Sequence, residues 1–502
     1  MVSDLPWLTA LWLAPAIGAC TVPLVPRSRP TAVKWAGLGV ALIVLALAAV
    51  LVGRFDSGGA QYQFVESHRW IPALGAGYTV GLDGIALVLV GLTAALVPLL
   101  IIAGWNDAGD RPMATHTYVA LMLAVESLAL LSFVALDVVL FYVALEATLV
   151  PLYVLIGRFG GPRGSSAALK FLLYNLFGGL VMLAAVVGLY GLATPAGIAT
   201  LDIRDLLSAA HATDPVVQQL LFLGFMMAFA IKAPLWPFHT WLPGVATSAT
   251  PATAVLMMAV VDKVGTFGML RYCLQLFPGA AIHFRPLIIT LAVIGIGYGA
   301  VVAIGQSDLM RLIAYASISH YGFIILGIFA MTSQGESGSA LYMVNHGVST
   351  AALFLIAGFL VSRKGTRAIA DYGGVQKAAP VLAGTFLVAG LSALALPGLA
   401  PFVSEFLVLI GTFTRYPLAA VAAVVALVLS AVYILWMYQR TMTGPVKAGA
   451  DRLRDLVPRE VTVVAPLIAL LLTLGVYPKV ALDVINPAVA HTLTSVPEVT
   501  AK

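Results

Sequence analysis

The chain has 502 residues, 61% of them hydrophobic and 10% charged, with a net charge of +5. A soluble domain carries about a quarter charged residues, so this chain cannot coat a water-facing surface of its size, and lipid must be the solvent for most of it. Its basic residues lie in short loops between apolar runs, where they set topology and offer no footing for nucleic acid.

The two cysteines, Cys20 and Cys273, lie far apart in apolar runs, with no CxxC and no Cys/His cluster. That pattern offers no iron–sulfur, zinc or haem-attachment site. No Gly-rich phosphate loop follows a strand pattern. The expectation is a chain without a cofactor or metal of its own. The first residues lack the basic segment of a signal peptide, so the first apolar run reads as a retained helix.

An apolar run of about 18–25 residues spans the hydrocarbon core as a helix. Such runs fall near 7–25, 33–53, 79–104, 115–134, 136–157, 167–193, 216–238, 251–276, 286–305, 308–330, 338–360, 379–413, 417–439 and 461–485. They predict an all-α polytopic membrane protein of about fourteen transmembrane helices. Residues 54–78 form the longest polar gap in the first half. Residues 199–213, with Asp202, Arg204, Asp205 and His211, predict a short amphipathic helix at the membrane surface. Residues 440–460 read as a basic, mixed-charge loop or surface helix. The whole reads as a single membrane domain over 1–502. Within it come N-terminal helices (1–110), a first repeat (115–276), a second repeat (286–439) and a C-terminal helix (461–485).

With the N-terminus outside, the inner loops hold Arg27, Arg29, Lys34, Arg111, Arg158, Arg163, Arg363, Lys364, Arg440 and Arg452, among others. The outer side holds Arg54, Arg69, Arg204, Arg271, Arg285, Arg415, Lys479 and Lys502. Over all loops the bias is about two to one inward. Both termini are then expected outside.

Two spans contain a proline break. One reads Lys232-Ala-Pro234-Leu-Trp-Pro237, the other Leu396-Pro397-Gly-Leu-Ala-Pro401. Proline removes a helical hydrogen bond and clashes with the preceding turn. Broken helices in corresponding positions point to a transporter's repeat and its site. An isolated break is an ordinary kink, which membrane helices tolerate; here each break adjoins a buried charge. Glu146 precedes Lys232 by 86 positions, and His320 precedes Glu405 by 85. Spans four to eight and nine to thirteen are therefore expected to form two inverted five-helix repeats, each with its broken helix.

Glu146, Lys232, Lys263 and Glu405 fall inside apolar spans. A charge at the bilayer centre costs about 2.5–3.5 kcal/mol on insertion scales, so these four must face protein or water. Burial penalises the charged form of an ionisable group, and an opposite charge nearby restores it. A Glu–Lys pair whose separation changes is therefore a proton switch. Glu146 and Lys232 fit that role, with Lys263 receiving the proton and Glu405 holding it before release. Static buried ion pairs are the bland alternative, and they bring little stability. Asp262 adjoins Lys263 but points about 100° away around the helix, so a different neighbour is expected for it. Lys170 opens the sixth span, where it can snorkel to the surface. Asp137 fits a cap of the following helix. Glu126 fits either an access path or structural pairing. His239, His320 and His346 lie in or beside spans among Ser, Asn and Tyr. Histidine's ordinary pKa suits proton relay, and none has a second metal ligand at helical spacing.

The string Ala233-Pro-Leu-Trp-Pro-Phe-His239-Thr-Trp-Leu-Pro243, then Lys263-Val-Gly-Thr-Phe-Gly268, Tyr315-Ala-Ser-Ile-Ser-His320-Tyr-Gly-Phe323 and Asn345-His346-Gly347, resembles the antiporter-like proton-pumping subunits of respiratory complex I, relatives of Mrp-type cation/proton antiporter subunits. The resemblance covers most of the chain and is strongest over about 120–415. Sister branches L and N, and the similar Mrp subunits, typically carry lysine where this chain has Glu405, so the likeness is to the M branch. It implies proton translocation driven by remote quinone reduction, passing through Glu146 and Lys232 to Lys263 and out by Glu405. It also implies L- and N-type and small membrane subunits as partners, with NADH, FMN, iron–sulfur clusters and quinone held by other subunits. The chain departs from the family in two places. The loop Gly244–Thr250 lacks the His and Glu that many relatives carry, and Asp262 replaces a usual apolar residue. Asp262 could shift Lys263 or give it a local partner. Arginine outnumbers lysine, and Ala, Val and Gly dominate, which fits a GC-rich bacterial genome and a bacterial inner membrane. Rival readings are an Mrp or membrane-hydrogenase type antiporter subunit, a stand-alone metabolite transporter and a non-transporting scaffold.

Overall fold

With no water in a bilayer core, backbone N–H and C=O groups must pair within their own segment, and each apolar run takes the helical solution. The computed structural model describes residues 5–109, 113–193, 200–447, 449 and 453–496. Arg111, Arg452 and Lys502 of the topology reading lie outside these residues.

The chain opens with α1 (Trp7–Thr21) and α2 (Pro30–Arg54), then a hairpin of β1 (Gln63–Ile71) and β2 (Ala76–Leu82). Next come α3 (Gly84–Ala103), α4 (Ala114–Val134), α5 (Val138–Ala147), α6 (Leu149–Phe159), α7 (Gly164–Ala193), the short α8 (Ile203–His211), α9 (Pro215–Lys232) and α10 (Leu242–Ser248). One continuous helical rod then contains α11 (Pro251–Val255), a π turn (Leu256–Val261), α12 (Asp262–Gly268) and a second π turn (Met269–Leu274). The rest is α13 (Pro278–Ile304), α14 (Leu309–Ala330), α15 (Ser333–Lys364), α16 (Pro380–Ala393), α17 (Ala400–Phe413), α18 (Pro417–Met442), α19 (Pro458–Val476) and α20 (Lys479–Thr494). Among the described residues, 13 helices are long and apolar enough to cross a membrane, with α5–α6 and the 251–274 rod counted as one each. The apolar helices α16 and α17 have 14 residues each; stacked, they reach about 40 Å, enough for one more crossing. The architecture is thus the helical membrane bundle expected from the apolar runs, with both proline-broken helices present. The surface helix expected over 199–213 is α8, capped by Asp202, whose side chain accepts from Arg204 N at 2.9 Å.

Four details differ from the sequence reading. The polar gap at 54–78 holds an antiparallel hairpin, turned by Gly75 at φ +64°, a conformation glycine adopts without a Cβ penalty. Glu66 on β1 accepts from Leu8 N at 2.8 Å, which seats the hairpin on the start of α1. The span expected at 136–157 is two helices, because Pro151 has no N–H for the carbonyl of Ala147. The last span, expected over 461–485, ends at Val476, where Pro478 forces Tyr477 out of helical backbone. The following α20 then lies against the start of α3 and bonds Gln275 through Thr492 at 3.2 Å. Arg271, counted among the outer-side charges, is 1% exposed and paired with Asp83 at 2.6 Å.

The 251–274 rod and α14 are buried throughout their apolar windows, and α15 nearly so, whereas α1, α2 and α19 are mostly turned outward. Side chains on the central helices are therefore screened from lipid, and Asp262, Lys263, His320 and His346 are buried on them.

Candidate functional site

The first break is made by Pro234. It cannot donate to the carbonyl of Ala230, which accepts instead from Leu235 N at 2.9 Å. The freed carbonyl of Ile231 accepts the Trp241 indole N–H at 3.1 Å. These two carbonyls are thereby satisfied where the helix ends inside the membrane. Lys232 is the last residue of α9, where the helix dipole favours a cation. Its Nζ donates to Thr148 Oγ1 at 3.3 Å, at the α5–α6 break, and lies 5.9 Å from the centre of the Phe171 ring. The Glu146 carboxylate acts on Lys232 electrostatically, without direct contact of the two groups. Glu146 itself is half-buried and presses on α7: a Cβ placed on Gly179 would meet its carboxyl at 2.3 Å.

The second group is a row of contacts. Lys263 is fully buried. Its Nζ donates to Tyr321 Oη at 2.9 Å and to the Met258 carbonyl at 3.3 Å, and meets His346 Nδ1 at 2.6 Å. An ammonium has only donors, so His346 Nδ1 accepts and its Nε2–H faces Thr350 Oγ1 at 3.1 Å. Met258 lies in the first π turn, which displaces carbonyls from the regular ladder; its oxygen also accepts from Tyr321 at 2.7 Å. The His346 and His320 rings are 5.4 Å apart between centroids. His320 Nδ1 lies 2.6 Å from Tyr342 Oη and 3.4 Å from Glu405 Oε1. The single Tyr342 hydroxyl proton is donated to Glu405, so the His320 N–H donates to Tyr342.

The second break positions Glu405. Pro397 leaves the Ala393 carbonyl without a donor, and α16 stops at that residue. Gly398 turns the chain at φ +91°, and α17 restarts with Pro401 in its first turn, where proline is tolerated. Asn345 clamps the restart, donating to the Ala400 carbonyl at 2.7 Å and to Ser404 Oγ at 3.3 Å. Glu405 is 1% exposed, and its Oε2 has no hydrogen-bond partner.

The structure thus gathers Lys263, His320, His346 and Glu405 into one row, and Glu146 with Lys232 into a second group. Glu126 stands apart: it is fully buried on α4, with neither oxygen bonded and no charge acting on it. His239 sits in the unwound stretch after Lys232, against Tyr298 at 5.0 Å and with Nδ1 unbonded, away from the row. Lys170 reaches the Thr240 carbonyl of that stretch at 2.7 Å. Asp137 caps α5, accepting from Val139 N at 2.9 Å and Leu140 N at 3.0 Å. Asp262 is fully buried with both oxygens unbonded, and its charge acts on both Lys232 and Lys263.

Sequence reasoning missed Tyr321, Tyr342, Thr148 and Glu336. Tyr342 was findable: it stands four positions before His346, on the same helix face. Glu336 was hidden because its span was expected to begin at 338. Thr332 Oγ1 accepts from Gly335 N at 3.1 Å and starts α15 earlier, which buries Glu336 with both oxygens unbonded. Arg415 is the charge that acts on it.

A row of amine, imidazole, phenol and carboxyl groups, each within bonding reach of the next except across the two histidine rings, is equipped to pass protons. Among the described residues no group of His, Cys, Asp and Glu could hold a metal ion.

Residues 135–430 match the family described as "NADH:quinone oxidoreductase/Mrp antiporter, TM". The NADH-quinone oxidoreductase subunit M of Mycobacterium tuberculosis strain H37Rv is 61% identical over 526 residues, covering 99% of this chain and 95% of that protein. NADH-ubiquinone oxidoreductase chain 4 of Arabidopsis thaliana is 37% identical over 486 residues, covering 96% of each. A chain of respiratory complex I from Thermus thermophilus with bound NADH superposes with a TM-score of 0.88 at 31% identity, over 97% of this chain and 99% of that one. A chain of the Mrp complex from Dietzia superposes with a TM-score of 0.84 at 21% identity, over 98% and 99%, and shares the fold. With the matched region enclosing Glu146, Lys232, Lys263, His346 and Glu405, the chain belongs to the NADH:quinone oxidoreductase/Mrp antiporter family of membrane proteins.

Proposed function

We propose that this chain is the M-type proton-translocating subunit of an NADH-quinone oxidoreductase, respiratory complex I, in a bacterial plasma membrane with both termini outside. The observation that carries the reading is the buried row from Lys263 through His346, His320 and Tyr342 to Glu405. In this reading a change of charge outside the chain alters the Glu146–Lys232 distance. Lys232 then releases its proton toward Lys263. The proton crosses to His346, and rotation of a ring or one bridging water carries it to His320. Tyr342 shuttles it to Glu405, which releases it on the far side. Glu126 and His239 serve at most as access groups, since neither touches the row. The 86- and 85-residue spacings support two inverted repeats, each with its broken helix in fourth place.

Glu146 also points to the partners. It shares an outward-facing stripe with Val143, Val150 and Tyr153, which are 44%, 66% and 37% exposed. A carboxylate on a lipid-facing stripe is costly, so a neighbouring membrane subunit is expected to cover it. L- and N-type subunits and small membrane subunits are the candidates. NADH, FMN, iron–sulfur clusters and quinone belong to other subunits, and this chain contributes to the enzyme without redox chemistry of its own.

Lys232→Ala in the assembled complex tests the reading. NADH-driven acidification of inverted membrane vesicles is expected to fall roughly tenfold or more. Full pumping with normal assembly would leave only a scaffold role. The family also includes Mrp antiporters, so the identity of co-purifying subunits separates the two: NADH- and quinone-binding neighbours support the proposal, and small antiporter subunits favour Mrp.

A further inference from the structure

Hydrogen bonds connect Lys232 to Thr148 on one side and Lys263 to His346 on the other, but none links the two lysines. The space between them is bounded by α9 and α12. Gly265 lets these helices touch: a Cβ on it would stand 2.8 Å from Ala233 N and 3.0 Å from Lys232 Cβ. Asp262 is three residues before Gly265 and so shares its face of the helix, toward α9. Lys263, one residue on, is rotated about 100° toward α14 and α15, where it meets Tyr321 and His346. Asp262 is fully buried, neither of its oxygens has a hydrogen-bond partner, and its charge acts on both lysines.

We propose that Asp262 carries the proton between Lys232 and Lys263, as a residue of the path in its own right. The inference rests on the reading of Lys232 and Lys263 as path residues. In the first step the Lys232 ammonium gives one proton to the Asp262 carboxylate, leaving a neutral amine and a carboxylic acid. In the second the acid gives that proton to neutral Lys263, restoring the carboxylate. No electron moves and no other reactant is needed. The two unbonded oxygens explain why the group is available: a static counter-ion would be expected to hold bonds to one lysine, whereas a carrier must turn between two.

The test uses the assembled complex in membrane vesicles, with Asp262→Asn, Asp262→Glu and Lys232→Ala side by side. Asp262→Asn is expected to slow NADH-driven proton translocation roughly tenfold or more, and Asp262→Glu to restore most of it. Infrared difference spectra on NADH addition supply a readout that a structural role would not move. A protonated-carboxyl band present in the native complex should shift in Asp262→Glu and vanish in Asp262→Asn. If Asp262→Asn does not assemble, the shift between native and Asp262→Glu still decides. Native pumping in Asp262→Asn, or a carboxyl band identical in native and Asp262→Glu, overturns the proposal. Native pumping in Lys232→Ala overturns the underlying path reading instead.

Discussion

Tyr342 stands where one hydroxyl proton is shared between an imidazole and a carboxyl group, with His320 2.6 Å away on one side and Glu405 bonded on the other. Removing the hydroxyl leaves the ring, the packed volume and the helix unchanged but breaks the relay. Tyr342→Phe is therefore expected to lower NADH-driven proton translocation about tenfold with subunit content unaltered; a native rate would exclude the Tyr342 shuttle. At the other end of the same scale, Asp107 lies in the turn after α3, outside the spans. Burial raises its pKa from 3.8 to about 6, against the hydrogen bonds of Thr250 and Tyr118 and the charge of Arg459. The folded state then binds the proton more tightly than the unfolded one. The resulting stability is present at acidic pH and is lost as pH rises between 3.8 and about 6, at most about 3 kcal/mol. Asp107→Asn removes that ionisation while keeping a polar partner for Thr250. The melting temperature of the native complex should fall from about pH 4.5 to pH 7 relative to the variant, and parallel curves would show that Asp107 is not penalised by burial.

Elements meet here through small residues, and the function proposed for Glu146 depends on one of them. Gly179 of α7 lies against its carboxyl, where a Cβ would come within 2.3 Å. Gly179→Ala must push Glu146 aside or force α5 and α7 apart, an overpacking cost of about 1–3 kcal/mol. The expected outcome is a complex that assembles and oxidises NADH but translocates protons weakly, read as the ratio of vesicle acidification to NADH consumed. An unchanged ratio would show that Glu146 can move without consequence. The helix breaks follow the same logic. Pro151, Pro234 and Pro397 each withhold one backbone donor; α5 and α16 stop at the carbonyl four residues earlier, and α9 stops at Lys232, two residues before Pro234. Proline positions made the breaks at Lys232 and Glu405 legible in the sequence. The π turns on either side of α12 were not legible, because no residue type marks them.

Across the whole molecule, one buried ion pair gathers distant segments. Arg271, in the second π turn, pairs with Asp83 at 2.6 Å and donates to the Phe133 carbonyl at 3.0 Å. Asp83 also caps α3, accepting from Ala86 N at 2.7 Å. The 251–274 rod, α3 and the end of α4 are thus joined at the end of the bundle that carries the hairpin. Arg271→Leu leaves the Asp83 carboxylate buried without its counter-charge, a loss of about 3–5 kcal/mol. The melting temperature of the complex should drop clearly, and Asp83→Asn in the same background should recover part of it. Equal melting of native and Arg271→Leu complexes would mean that the pair holds nothing together.

Hydrophobic run length, proline and loop charge belong to local segments, so the sequence alone determined the membrane class, nearly all spans, the two broken helices and Lys232, Lys263 and Glu405 as buried charges. It also named His320 and His346. It could not say that these two histidines meet across α14 and α15, that Tyr342 completes the row, or that Glu126 and His239 stand outside it. Nor could it say that Arg271 is paired and interior, or that Gly265 packs against Lys232 and Ala233. Those facts depend on which helix faces which neighbour and at what rotation, and close contacts between segments far apart in the chain decide them. Only the tertiary structure contains that information.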